Sequence, residues 1–178
     1  IVILLYKDVF TYLYMLKEVI ILGDIEMGGG TLTDDFISDK ALSTFILSLS
    51  YKDKAVDLVL NGDTFDFLKC PYVIHGKRSF PRHITEEISL TKLNTIYNAH
   101  FEVFEALKSF LKNKLHHLYF TIGNHDHDLF FNSVQQELKK ILGNKNRITF
   151  SLFYEKQGVY VEHGHQYDMM NKINPDDL

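Results

Sequence analysis

Four short segments bring together side chains able to do chemistry: Gly23-Asp24-Ile25-Glu26, Gly62-Asp63-Thr64-Phe65-Asp66, Gly123-Asn124-His125-Asp126 and Glu162-His163-Gly164-His165. Each follows an apolar run, at residues 19–22, 56–60, 118–122 and 159–161. Short apolar runs bounded by glycine read as buried strands. An open α/β sheet binds ligands beyond the carboxyl ends of its strands. The spacing therefore predicts that Asp24, Glu26, Asp63, Asn124, His125 and His163 gather on one rim. Oxygen and imidazole donors without thiolates suit hard or borderline divalent metals.

Two divalent ions held roughly 3.5–4 Å apart can clamp a phosphoryl group and activate a water. Such a pair needs a bridging carboxylate, and Asp63, at the end of the second strand, is the natural candidate. Asp24 and Glu26 alternate on the first loop and would face one ion if the strand geometry continues. Asn124 offers an amide oxygen and His163 a ring nitrogen. His125, next to Asn124, should point away from that ligand, free to donate a proton to a leaving oxygen or to stabilise developing charge.

The order of these motifs, each after an expected strand, resembles the calcineurin-like metallophosphoesterase superfamily. Residues 159–168 are similar to a bacterial branch near the UDP-2,3-diacylglucosamine pyrophosphatases, and the resemblance runs from about residue 17 to residue 178. It implies an αββα fold, a two-sheet sandwich flanked by helices. It also implies phosphoester or pyrophosphate hydrolysis by attack of a metal-bound hydroxide. By position, Asp24, Glu26 and Asp63 would hold a first metal, and Asp63, Asn124 and His163 a second, with His125 beside the phosphate. The implied cofactors are two divalent ions, manganese foremost, with iron, zinc, cobalt or magnesium as alternatives. Two departures stand out. Glu26 occupies a position usually filled by histidine, which either favours harder metals or, if Glu26 does not ligate, weakens the first site. No Gly-His-x-His segment follows His165, so the fold is expected to be incomplete at its C-terminal end and this chain to have little activity.

Other residues have plainer readings. Asp66 and Asp126 are expected to orient their loops by hydrogen bonds. Gly28 to Gly30 leave room for close approach to metal. Residues 69–83 contain two prolines, Lys69, Lys77, Arg78 and Arg82, and no acid. They are expected to be irregular, with Arg78 and Arg82 as contacts for an anionic substrate and His165 as a third. His127 reads as a solvated loop residue, His116 and His117 as structural, and Cys70 as inert.

The elements that must position these residues alternate. Strands are expected at residues 18–23, 56–61, 117–122, 148–154 and 158–162. Helices are expected at 36–50, with Phe36, Leu42, Phe45, Ile46 and Leu49 on one face, at 85–114 and at 133–142. The core face of the long helix is Leu93, Ile96, Phe101, Phe104, Leu107, Phe110 and Leu111. This alternation argues for α/β. At 178 residues the chain fits one domain, taken as 15–178, with residues 1–14 an N-terminal extension ahead of Met15. That apolar extension is too short to span a bilayer.

One cysteine excludes an internal disulfide and a thiolate zinc site. A net charge of −4 argues against nucleic acid as partner. The expected partner is a phosphorylated small molecule or lipid-nucleotide, and the expected location is cytoplasmic, with peripheral membrane association open. Two rival functions remain: a non-catalytic member that binds metal or phosphate, and a nuclease-type phosphodiesterase.

Overall fold

A computed structural model describes residues 17–81, 83–143 and 145–172. The expected extension at 1–14, Arg82 and the last residues of the polar tail lie outside the described residues. The centre is a parallel sheet in the order β1 (Glu18–Leu22), β2 (Val56–Asn61), β5 (His117–Thr121), β6 (Ile148–Ser151). Its register sets Leu22 beside Leu60 and Asn61 beside Thr121, so the first three strands end together. Parallel strands are covered on both faces, which explains their near-continuous apolar character.

Alternate residues serve the two faces. Ile20, Leu22, Leu58, Leu60, Leu118 and Phe120 enter the main core with residues from the helices. Those helices are α1 (Asp39–Ser50), α2 (Glu86–Ala99), α3 (Phe101–Phe110) and α4 (Asn132–Leu142). Phe65, from the loop after β2, stacks on both Phe104 and Phe120 and ties that loop to the core. On the other face Val59 and Tyr119 pack with Tyr154, Val159 and Val161. These last belong to an antiparallel hairpin, β7 (Phe153–Lys156) and β8 (Val159–Glu162). The α/β architecture is as expected, and the second layer among the described residues is this hairpin.

Helix ends follow local chemistry. Thr85 caps α2, its side chain accepting the Ile88 N–H, and Glu86 and Glu87 complement the dipole. Gly143 closes α4 in the left-handed region, its N–H reaching the Lys139 and Lys140 carbonyls.

Four expectations need correction. Residues 69–83 are not irregular throughout: β3 (Tyr72–Ile74) and β4 (Lys77–Ser79) pair antiparallel. Their turn, His75-Gly76, has φ of 47° and 76°, the geometry of a tight hairpin. The long helix is two, broken at His100, whose ring is held 2.8 Å from Asp39 and 2.9 Å from Asp34. Residues 148–154 are not one strand: β6 joins the parallel sheet, and the chain turns at Leu152 into β7. Finally, α1 starts at Asp39, leaving Phe36 edge-on to His100, and Phe45 is exposed, as is Phe101 in α3.

Phe120→Ala should lower unfolding free energy by about 3–5 kcal/mol, because a stacked, buried ring is lost. Phe45→Ala should change it by less than about 1 kcal/mol. Urea denaturation of the two variants checks both.

Candidate metal centre

Beyond the sheet the loops after β1 and β2 continue side by side. Asp24 N–H donates to the Gly62 carbonyl and Glu26 N–H to that of Asp63. The loop after β5 joins them, its His125 carbonyl accepting from Phe67 N–H at 3.0 Å. Asp24, Glu26 and Asp63 all have positive φ, at 50°, 55° and 48°. Such conformations are uncommon for residues other than glycine and concentrate where geometry serves function. The other two among the described residues, His75 and Gln157, are each followed by glycine in a hairpin turn.

Two glycines permit the close approach of these loops. A Cβ at Gly62 would lie 2.3 Å from the His163 ring, and one at Gly123 would lie 2.1 Å from Asp63 Oδ1. Neither position admits a side chain without displacing a candidate ligand.

The donors form two groups. Asp24, Asp63 and His163 offer ligand atoms within 4.8 Å of one another, and so do Glu26, Asp63 and His125. Asp63 is common to both. His163 Nε2 lies 3.2 Å from Asp63 Oδ2 and 3.2 Å from Asn124 Oδ1, while its Nδ1 lies 3.3 Å from the Asn61 carbonyl. Without a metal both ring nitrogens face acceptors, and Nε2–H donates to Asp63. With Nδ1–H kept on the Asn61 carbonyl, loss of the Nε2 proton would free that nitrogen for a metal, the arrangement a metal-binding histidine adopts. His125 donates its backbone N–H to Asp63 Oδ1 at 2.8 Å, and its ring Nδ1 is 3.2 Å from Asp66 Oδ1. This donor set fits divalent ions of the oxygen- and imidazole-preferring kind.

The electrostatics are sharply divided. Burial alone would raise the Asp63 carboxyl, but hydrogen bonds from His163 and the His125 N–H outweigh it and hold the group below its ordinary value. The same Asp63 contact holds His163 above its ordinary value against the effect of burial. Asp126, fully buried, is pushed up to about 7 by that burial, although Gly123 and Thr64 N–H groups donate to it at 2.7 and 2.8 Å. Lys69 Nζ stands 3.3 Å from Glu26, 2.7 Å from Asp35 and 3.3 Å from Asp66. The Asp35 carboxylate foremost holds that ammonium above its usual range.

The structure thus gathers Asp24, Glu26, Asp63, Asn124, His125 and His163. Asp24 shares a group with Asp63 and His163, Glu26 one with Asp63 and His125, and positive φ at Asp24 and Glu26 breaks the strand alternation. Asp66 and Asp126 reach the loops through hydrogen bonds. His165 is buried with its ring 5.3 Å from that of His163. Arg78, on β4, is exposed and lines a shallow pocket with Leu32, Pro71 and Phe80. Arg82 lies outside the described residues. His127 is not solvated: it is buried, with Nδ1 2.8 Å from the Asn124 carbonyl. Nor do Gly28 to Gly30 make room for metal. Gly28 and Gly30 donate to Asp34, and Gly29 and Gly30 pack on Cys70, Pro71 and Ala99. Cys70 is buried, its thiol pushed up to about 12 by that burial, and so is inert.

Sequence reasoning missed three contributors. Lys69 was one charge in a basic stretch, Asn61 a strand end, and the Asp34–His100–Asp39 group had no local signal.

The protein-family description "Calcineurin-like phosphoesterase" matches residues 17–178. The chain therefore belongs to the calcineurin-like phosphoesterase family, whose members are metal-dependent phosphoester hydrolases. No curated protein and no solved structure gave a match.

Asp126→Ala should cost about 2–4 kcal/mol in urea denaturation, since buried backbone N–H groups lose their acceptor. Gly123→Ala should cost about 1–3 kcal/mol by crowding. The Asp63–His163 attraction also sets a pH window in chelator-treated protein. Asp63, lowered on folding, contributes above its ordinary 3.8 and loses that contribution as pH falls through its folded value. His163, raised on folding, contributes fully below its ordinary 6.5 and loses it as pH rises through its folded value. The stability gap between wild type and His163→Ala should therefore be widest between pH 3.8 and 6.5 and narrow above it.

Proposed function

We propose that this chain is a phosphohydrolase that cleaves a phosphoester or pyrophosphate bond at a dinuclear metal centre bridged by Asp63. The observation that supports this most is the sharing of Asp63 between two groups of side chains that could hold a metal ion. Divalent cations, manganese foremost, would supply Lewis acidity at the phosphoryl oxygens and a water nucleophilic at neutral pH. Asp24, Asn124 and His163 would hold one cation with Asp63, and Glu26 the other. His125, oriented by Asp66, would give a proton to the departing oxygen.

The substrate we propose is a phosphorylated small molecule or lipid-nucleotide, as the resemblance read from residues 159–168 implies. Arg78 beside exposed Leu32 and Phe80 suits a ligand with both charged and apolar parts. Among the described residues no helix is long and apolar enough to cross a membrane. A cytoplasmic location, with peripheral membrane association open, is compatible with the single, buried cysteine.

A second reading, a non-catalytic metal or phosphate binder, draws on the ion pair between Lys69 and Glu26. Hydrolysis of aryl phosphomonoesters and diesters with added Mn²⁺ decides between them. The proposal expects activity that chelator abolishes, and a loss of about 10²–10⁴-fold in His125→Ala with its bound Mn²⁺ unchanged. Loss of one Mn²⁺ in His125→Ala would make that residue a ligand. Equal turnover by wild type and His125→Ala on every ester would favour the binder.

A further inference from the structure

The two halves of the centre differ in what surrounds them. Lys69 Nζ contacts Glu26 Oε2 at 3.3 Å, Asp35 Oδ2 at 2.7 Å and Asp66 Oδ2 at 3.3 Å. Its backbone is fixed as well: its N–H donates to Asp66 Oδ1 and its carbonyl accepts from Thr33 Oγ1, both at 2.9 Å. Among the described residues the Asp24–Asp63–His163 group has no lysine or arginine partner. The Glu26 half thus holds a lysine ammonium already, and the other half holds none.

We infer that Lys69 is a built-in competitor for the Glu26 half of the centre, so that the two halves fill in order, the Asp24–Asp63–His163 half first. This rests on the dinuclear reading above. A divalent ion on Glu26 would share that carboxylate with the ammonium, and two cations a few ångströms apart repel. The ammonium need not leave altogether. It can swing from Glu26 while keeping Asp35 and Asp66, and the Asp66 carboxylate that orients His125 stays paired. Lys69 is therefore a positioning residue, acting through Glu26 on the cation.

Titration calorimetry with MnCl₂, with bound Mn²⁺ counted by electron paramagnetic resonance, tests this on wild type, Lys69→Met and Lys69→Arg. Wild type should show a tight and a weak step. Lys69→Met, nearly equal in length but uncharged, should tighten the weak step by about tenfold, a figure reduced for the partial exposure of the pair, and leave the tight step within about twofold. Lys69→Arg, which keeps the charge, should keep the weak step. Two steps in wild type that Lys69→Met leaves unchanged or weakens would overturn the role of Lys69 alone. No Mn²⁺ bound by any of the three would overturn the metal-centre reading, and this role with it.

Discussion

The Asp63 carboxylate takes its partners from three directions. Oδ1 accepts the His125 N–H, Oδ2 faces His163, and Glu26 and Asp24 stand close enough to share an ion with it. A carboxylate this enclosed must ionise against burial, and it does so only because donors surround it. Its position requires left-handed backbone at residue 63 and glycine at residue 123. The neighbouring loops then have little freedom left.

Those loops are held from behind by other buried carboxylates. Asp126 joins the loop after β5 to the one after β2 through Gly123 and Thr64. Asp34 gathers Gly28, Gly30 and Phe36 N–H groups and abuts His100, which also meets Asp39. The first loop is thereby tied to the break between α2 and α3. Lys92, buried in α2, donates to the Phe67 carbonyl at 2.8 Å and braces the second loop. Buried polar groups with partners fix one arrangement, because any other leaves them unsatisfied. Rigid support of this kind is what a centre needs to hold donors in place before cations arrive.

The rim was readable because its signals are local. Apolar runs followed by glycine and a carboxylate mark strand ends, and β1, β2 and β5 lie within a residue of expectation. What escaped depends on distance along the chain or on a single torsion. His100 meets Asp34 across 66 positions, which no periodicity reveals. The β3–β4 hairpin was hidden by Pro71 and Pro81, although His75-Gly76 between them marked its turn. The break at Leu152 has no residue that demands it. Strand alternation does not continue through Asp24 and Glu26, and their positive φ is a torsion that no sequence pattern reveals. Lys69 is visible as charge only, because two of its three carboxylate partners, Glu26 and Asp35, come from another loop.

The most direct test of a centre built on Asp63 is a crystal structure of the Mn²⁺-loaded protein with anomalous scattering recorded for manganese. The account predicts two peaks roughly 3.5–4 Å apart with the Asp63 carboxylate between them. A single peak, or two that do not share Asp63, would contradict it.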